Sequence, residues 1–153
     1  MRFETLCYVL DGGRVLMIEK RRGLGAGKLN APGGKVERGE TPEEAAIREV
    51  REEVGVEVKD LEFMGVLEFV NNGSIHSHCY VFISRSFDGV PKETEEARPV
   101  WVSADSLPYS KMWEDDKLWL PLVLKGKKVF ARFWFKDWQL VSYRIFEMVE
   151  TDA

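Results

Sequence analysis

The chain has 153 residues, of which 44% are hydrophobic, 12% aromatic and 31% charged, and its formal net charge is -4. This length fits one domain over residues 1–153 with a sizeable core, and the composition excludes a disordered or fibrous protein. The mild acidity argues against stable binding to nucleic acid, whose phosphates usually meet a basic protein surface.

The sequence also bears on compartment and on redox state. No apolar run approaches the length of a membrane span, and residues 1–4 do not begin a secretory signal. We therefore expect a cytoplasmic protein without a membrane partner, either a monomer or a small homo-oligomer. Cys7 and Cys79 are far apart and form no CxxC pair, which predicts two small apolar residues in strands rather than a disulfide or a zinc site.

The first predicted elements are two strands, at residues 3–10 and 14–19, joined by the hairpin sequence DGG. A glycine-rich segment at residues 21–35 follows, and we expect it to be a long loop without regular structure. Long ordered loops in compact domains tend to be functional.

The next predicted element is a helix with clear signals at both ends. Thr41 can cap its start, Pro42 suits the first helical position, and Glu44 completes a capping box. Gly55 suits the left-handed residue that ends many helices. The helix is therefore expected between Thr41 and Gly55.

The rest of the chain predicts strands and one further helix. That helix covers residues 114–124, with Asp115 and Asp116 in its first turn, where the helix dipole favours acidic side chains. The predicted strands cover residues 61–70, 75–87, 98–103, 129–135 and 140–148. Since there is no repeat or linker, these elements predict a single α+β domain with a mixed sheet and about two helices.

The first helix carries a cluster of carboxylates. Glu49, Glu52 and Glu53 fall at helical spacing and project from one side, while alanine and valine residues line another. Taken alone, this pattern is more typical of a solvated helix surface supported by pairs such as Arg48 with Glu52. The alternative is a surface built to hold a cation.

The sequence around this cluster favours the cation. Gly34, Glu40 and the run REVREEVGV at residues 48–56 resemble the signature of the Nudix hydrolases, G-x5-E-x7-R-E-U-x-E-E-x-G-U, in which U is a bulky aliphatic residue. The resemblance implies an α/β/α sandwich and hydrolysis of a nucleoside diphosphate linked to a further group. It also implies that Arg48 pairs with Glu40 to hold the loop against the helix.

The resemblance assigns a metal site to the cluster. Glu49, Glu52 and Glu53 are expected to bind Mg²⁺, or alternatively Mn²⁺, with the Gly33 carbonyl as a further ligand, because hard cations must bridge carboxylates and a negatively charged diphosphate. Glu53 is the expected general base, with Glu52 in the same catalytic set. Glu96 matches a further metal-binding or basic carboxylate, although it reads equally well as a solvated charge in an acidic loop.

Segments outside the signature give a narrower resemblance. The sequences KRRGLGAGKLNAPGGKVERGET, EEARPVW and KMWEDDKLWLPLVLKGKK look like the animal-type 8-oxo-dGTP diphosphatases, which hydrolyse oxidised purine nucleoside triphosphates to monophosphates. The resemblance implies that Trp113 stacks on the purine and that Asp115 and Asp116 read its edge. Adjacent carboxyls can share a proton, so one donates while its neighbour accepts. The alternative is a core tryptophan beside two acids that stabilise a helix start.

Further substrate contacts are implied by the same resemblance. Asn30 is expected to hydrogen-bond the base, and Thr5 and Lys20 are expected near the base or sugar and the phosphates, respectively. The loop residues assigned to the substrate-binding set are Pro32, Gly33, Gly34 and Lys35.

Some positions depart from these relatives. Leu24, Leu29 and Pro32 stand where aromatic residues are common, which makes the expected base pocket less aromatic. A Nudix enzyme acting on ordinary nucleoside triphosphates or ADP-ribose-like compounds is therefore the first alternative, and a non-catalytic nucleotide sensor is the second. His76 and His78 are expected on the same side of a strand and are left out of the site, because no third soft ligand accompanies them.

Overall fold

The computed structural model describes residues 2–149, so residue 1 and residues 150–153 of the predicted domain lie outside the described residues. The strands are β1 (Arg2–Asp11), β2 (Arg14–Lys20), β3 (Leu29–Asn30), β4 (Gly33–Lys35), β5 (Glu57–Lys59), β6 (Glu62–Asn71), β7 (Ser74–Ser84), β8 (Ser86–Asp88), β9 (Ala97–Ser103), β10 (Lys128–Lys136) and β11 (Gln139–Met148). The helices are α1 (Pro42–Val54) and α2 (Asp116–Leu124), with a short 3-10 helix at Tyr109–Lys111.

Most strands join one mixed sheet in the order β11-β10-β6-β7-β1-β2-β3, with β4 paired to β1 and β9 to β2. The β1–β7 and β6–β10 pairs are parallel, and the others in this sheet are antiparallel. The parallel β1–β7 pair places residues from the start of the chain beside residues from its middle. Residues of both paired strands line the cavity described below.

The two faces of the sheet bury separate cores, one under each helix. Cys7 and Val9 pack with Ala46 and Val50 of α1. Tyr8, Cys79 and Phe133 belong to the other core, which includes Trp119 of α2. The expected α/β/α sandwich of class α+β is therefore confirmed, and both cysteines are free and buried within strands, as predicted.

Helix α1 has the boundaries that its end signals predict. The Thr41 side chain accepts a hydrogen bond from Glu44 N at 3.1 Å, and the Glu44 side chain accepts one from Thr41 N at 3.2 Å, which completes the capping box. Gly55 ends the helix in the left-handed conformation, at φ 73°. These bonds fix where the carboxylates of α1 stand along the helix.

Several predicted boundaries are wrong. The segment at residues 21–35 contains β3 and β4, because pairing with β2 and β1 stabilises strands too short to be recognised locally. The predicted strand at residues 75–87 is interrupted at Arg85, since β8 leaves the main sheet and pairs with β5. Helix α2 begins at Asp116, so Asp115 precedes the helix.

Within residues 2–149, none of the helices combines the length and the apolar character that crossing a bilayer requires.

Candidate active site

A cavity of about 370 Å³ brings together residues that are distant in the chain. This volume is at the lower end of the usual range for small-molecule sites. Its lining includes the predicted site residues Thr5, Lys20, Asn30, Gly33, Gly34, Glu53, Trp113, Asp115 and Asp116. The residues expected to bind a base therefore share a cavity with Lys20, Gly33 and Glu53, which are expected to bind metal or phosphate.

Five predicted site residues lie outside this lining, namely Pro32, Lys35, Glu49, Glu52 and Glu96. The backbone carbonyls of Pro32 and Lys35 make internal hydrogen bonds. The Pro32 carbonyl accepts from Cys7 N at 2.8 Å, and the Lys35 carbonyl accepts from Arg48 Nη2 at 3.0 Å. Both bonds tie the loop to the rest of the domain. The three glutamates belong to the neighbouring carboxylate surface.

Glu53 connects the cavity to that surface. Its side chain is only 6% exposed, and its Oε1 accepts a hydrogen bond from Gly33 N at 2.9 Å. Burial raises the pKa of Glu53 to about 8, in opposition to the Gly33 hydrogen bond, and the charges of Glu49 and Glu96 add to the rise. The sequence predicted three projecting carboxylates, whereas Glu53 is buried, Glu49 half-buried and Glu52 exposed.

Arg48 organises the exposed part of the surface. It pairs with Glu40 through Nε at 2.7 Å and Nη2 at 2.9 Å, which confirms the expected loop-to-helix pairing. Its Nη1 also donates to Glu49 at 2.8 Å and to Glu52 at 3.1 Å. One guanidinium thus offsets the repulsion among three carboxylates.

The loop that carries Glu96 is attached to the C-terminal end of α1. The Thr94 hydroxyl donates to the Glu53 carbonyl at 2.8 Å, and the Glu96 carbonyl accepts from Arg21 N at 3.1 Å. The Glu96 side chain is exposed, and its charge contributes to the raised pKa values of Glu49 and Glu53. Glu96 therefore interacts electrostatically with Glu49 and Glu53.

Asp115 and Asp116 form a buried acid pair beside Trp113. Asp115 Oδ2 accepts from Trp119 Nε1 at 2.9 Å, and both carboxyl groups are buried. Burial raises the pKa of Asp115 to about 6, whereas burial and the charge of Asp115 raise the pKa of Asp116 well above its usual range. The two carboxyls therefore titrate as an interacting pair.

The acid pair does not serve as a side-chain cap for α2. Asp115 occupies the N-cap position but makes no capping hydrogen bond with its side chain. Asp116 Oδ2 is buried and has no hydrogen-bond partner among the described residues. An unpaired buried oxygen is costly, and a hydrogen-bonding ligand would satisfy it.

The remaining predicted contacts have ordinary internal partners. Asn30 Oδ1 accepts from Ala31 N at 3.0 Å, which leaves its amide nitrogen as a donor for a ligand. Thr5 is buried and donates weakly to the Gly34 carbonyl at 3.4 Å. Lys20 is exposed, and its charge lowers the pKa of Glu53, so it lies near the carboxylates.

Sequence reasoning missed an aromatic group in the same cavity. Phe69, His76, Phe135 and Trp138 line it together with Trp113. The sequence places His76 outside the site and on the same side of the strand as His78. In the structure the His76 ring is edge-on to Trp138, whereas His78 stacks on Phe3, so the expected shared side is wrong. The β6–β7 pairing shifts register next to His76, and no local sequence signal reports that shift.

The profile of the Nudix domain family matches residues 2–123. The chain belongs to the Nudix hydrolase family. Nudix hydrolases generally need a divalent metal ion, so metal-dependent hydrolysis follows as the class of reaction.

Relatives of this Nudix hydrolase match it over nearly its whole length. It is 41% identical over 147 residues to the oxidized purine nucleoside triphosphate hydrolase of Danio rerio, with 95% of this chain and 94% of that protein covered. It is 41% identical over 149 residues to the Mus musculus protein of the same name, with 96% of each covered. A solved mutator MutT protein from Bacillus halodurans has a TM-score of 0.85 and 31% identity, over 95% of this chain and 97% of that one.

The oxygen donors of this Nudix site fit a hard divalent cation. The side chains of the cluster are carboxylates, with no soft ligand among them. Burial raises the pKa of Glu49, while its bonds to Arg48 oppose the rise. Within residues 2–149, no three acidic, histidine or cysteine side chains converge as a ready metal cage, and Arg48 instead holds Glu49 and Glu52.

We predict that Gly34→Ala lowers turnover by about 10²-fold, the cost typical of a small misplacement in a catalytic site. A Cβ at Gly34 would lie 2.5 Å from Cδ of Glu49, so the carboxylate must move. Steady-state kinetics of the single variants and of Gly34→Ala combined with Glu49→Gln test this. If the methyl acts through Glu49, the two losses are far from additive; full additivity contradicts it.

Proposed function

We propose that this Nudix hydrolase converts oxidised purine nucleoside triphosphates, such as 8-oxo-dGTP, to the monophosphate and pyrophosphate and so removes damaged nucleotides from the pool. The observation that carries the proposal is the buried acid pair, with its unpaired Asp116 oxygen, in the same cavity as Glu53. The names and near-complete coverage of the Danio rerio and Mus musculus relatives support it.

The acid pair provides a way to recognise the base. Between its two titration steps, one carboxyl donates a hydrogen bond and the other accepts. An 8-oxopurine differs from an ordinary purine by a carbonyl and an added N–H at the edge of the ring, which changes the order of donors and acceptors. Trp113 supplies a stacking surface that suits any purine. The choice of base is therefore assigned to Asp115 and Asp116, with Asn30 as a further donor.

The carboxylate surface provides the hydrolytic chemistry. Glu49, Glu52, Glu53 and Glu96 are proposed to hold Mg²⁺, with Mn²⁺ as the alternative, together with the Gly33 carbonyl. The bound cation supplies charge neutralisation at the phosphates. Glu53 is the proposed general base, because it is the carboxylate of this surface that lines the cavity. Lys20 and the Gly33–Gly34 backbone are proposed to face the phosphates, and Thr5 the base or sugar.

The setting of the reaction is part of the proposal. We propose a cytoplasmic enzyme that acts on free nucleotides, as a monomer or a small homo-oligomer, without stable nucleic acid binding. Cys7 and Cys79, free and buried on opposite faces of the sheet, suit a reducing compartment. The net charge of -4 is compatible with small anionic substrates received by local cations rather than with long nucleic acids.

Hydrolysis of 8-oxo-dGTP and dGTP at matched concentrations, with Mg²⁺ or with a chelator, tests the proposed function. We expect kcat/KM for 8-oxo-dGTP to exceed that for dGTP by at least about tenfold, the ratio that 1.4 kcal/mol of discrimination gives. The chelator should abolish both reactions, and replacing Mg²⁺ with Mn²⁺ should restore them.

A substrate panel separates the remaining functions. Equal rates on oxidised and ordinary purine nucleotides, or a preference for ADP-ribose, would replace this proposal with a Nudix hydrolase of other specificity. Tight nucleotide binding without metal-dependent turnover would indicate a nucleotide sensor.

A further inference from the structure

The turn between β10 and β11 has an unusual residue at a strained position. Asp137 and Trp138 form this two-residue turn, and both have positive φ, at 48° and 59°. Glycine, asparagine and aspartate are the usual residues at such positions in hairpins. A tryptophan there is an outlier, because its bulky side chain is unfavourable in the left-handed region.

Side chains from the neighbouring hairpin hold this turn in place. Asn71 Oδ1 accepts from Trp138 N at 3.0 Å, and Asn72 Oδ1 accepts from Asp137 N at 2.9 Å. Asn72 Nδ2 also donates to Asp137 Oδ1 at 3.2 Å. The backbone of Trp138 is therefore fixed from outside its own hairpin.

The fixed backbone directs the indole of Trp138 into the base cavity. Its ring lies 5.8 Å from Trp113 at 65°, 5.7 Å from Phe135 at 51° and 4.9 Å from His76 at 90°, all measured between ring centroids. These are favourable tilted and edge-to-face arrangements. The four rings form a corner, in which a base that stacks on Trp113 has the indole of Trp138 as an adjoining wall.

A hydrogen bond from a backbone N–H to a side chain links this wall to the segment that carries the acid pair. Glu114 Oε1 accepts from Leu140 N at 3.2 Å, which joins the residue after Trp113 to the start of β11. This bond connects the hairpin that carries Trp138 to the segment that carries Asp115 and Asp116. The departures at Leu24, Leu29 and Pro32 predicted a cavity poor in aromatic rings, and Trp138 replaces part of that surface from another strand pair.

We propose that Trp138 is a specificity-determining residue that contacts the purine base and limits the space available to it. This inference rests on the proposed function for the nature of the substrate, and on the ring geometry for the residue. A two-ring base has enough area to contact both indoles, whereas a pyrimidine stacked on Trp113 has less ring area left to contact Trp138. Trp138 thus favours purine over pyrimidine nucleotides, while Asp115 and Asp116 choose among purines.

Three variants separate the ring from the turn. Trp138→Gly removes the ring and suits positive φ, so the turn is retained. Trp138→Phe keeps an aromatic wall. Asp137→Asn is the matched control, since asparagine tolerates this conformation and its amide oxygen can still accept from Asn72.

The decisive measurement is the dissociation constant of 8-oxo-dGMP and of dCMP, which have no phosphoanhydride bond, so that hydrolysis plays no part. We expect Trp138→Gly to weaken 8-oxo-dGMP by about three- to tenfold, as the energy of one aromatic contact implies, and to leave dCMP nearly unchanged. Trp138→Phe should recover most of the loss, and Asp137→Asn should match the wild type. With 8-oxo-dGTP and metal, KM should rise in Trp138→Gly while kcat stays within about twofold.

The inference is overturned if Trp138→Gly binds 8-oxo-dGMP as tightly as the wild type, or if Asp137→Asn loses as much as Trp138→Gly. In the second case the turn, and not the ring, matters. Should Trp138→Gly fail to fold, Trp138→Asn takes its place as the variant without an aromatic ring. The inference is then overturned if Trp138→Asn binds 8-oxo-dGMP as tightly as Trp138→Phe does. Failure of the proposed function is a separate result: the wild type would prefer a different nucleotide in the hydrolysis panel, whatever Trp138→Gly does to purine binding.

Discussion

Glu53→Gln is expected to lower kcat by about 10²- to 10⁴-fold while leaving the protein folded, the range over which a general base or metal-bound carboxylate contributes. Glutamine matches glutamate in shape, and its amide oxygen can still accept the hydrogen bond from Gly33 N. It cannot take a proton from water, and it is a poorer ligand for a divalent cation. The site would therefore lose function without losing its packing.

Stability and activity must be measured side by side for this variant. Glu53 is 6% exposed, so an ionised carboxylate there is costly and a neutral amide should not lower the thermal midpoint. Glu43→Gln is the matched control, because Glu43 lies in the first turn of the same helix, exposed and away from the cluster. Near-normal turnover in Glu53→Gln would remove this residue from the mechanism.

Features set by short-range chemistry could be predicted from the sequence. The capping box at Thr41 and the left-handed end at Gly55 involve residues within a few positions of each other, so a local pattern is sufficient to place α1. The Arg48–Glu40 pair spans only a loop and two helical turns, and the family signature encodes its spacing. The cluster of Glu49, Glu52 and Glu53 follows from the same helix geometry.

Features set by sheet pairing could not be predicted in this way. Strands β3 and β4 have two and three residues and exist through their partners β2 and β1. The burial of Glu53 depends on the approach of β4 across α1, which no helical pattern reports. Trp138 meets Trp113 only because β10 lies beside β6 in the sheet, and the parallel order of those strands is a long-range property.

The acid pair of Asp115 and Asp116 could be predicted only in part from the sequence. Its residues and their role could be suggested by resemblance, yet the pattern alone favoured a helix start. In the structure Asp115 makes no side-chain cap, and Asp116, in the first turn of α2, keeps an unpaired buried oxygen. A substitution that changes proton number but not shape is therefore the most informative test of this pair.

Asp115→Asn and Asp116→Asn are each expected to lower the kcat/KM ratio of 8-oxo-dGTP to dGTP by about 10- to 100-fold, the effect of mispairing one buried hydrogen-bonding group. An amide has a fixed donor and a fixed acceptor, whereas the pair can place its proton on either residue. Trp113→Ala is the comparison variant, because lost stacking should weaken both nucleotides alike, by roughly 1–3 kcal/mol.

Folding should survive these two substitutions. The pKa values of Asp115 and Asp116 are both raised in the folded state. Ionisation of the pair therefore lowers stability as pH rises, for Asp115 between its usual pKa of 3.8 and about 6. An amide does not ionise and avoids that cost, and at position 115 its oxygen can still accept from Trp119 Nε1. Thermal midpoints near pH 7 should therefore be close to that of the wild type.

A pH profile distinguishes base reading from a structural role of the same residues. In the wild type, Asp115 is protonated below about pH 6 and is then no longer only a hydrogen-bond acceptor. The preference for 8-oxo-dGTP over dGTP should therefore fall below that pH. Asp115→Asn lacks this titration, and its ratio should stay flat over the same interval. If the ratio in both amide variants equals that of the wild type, the acid pair does not read the base, and the substrate must be sought among other nucleoside diphosphate derivatives.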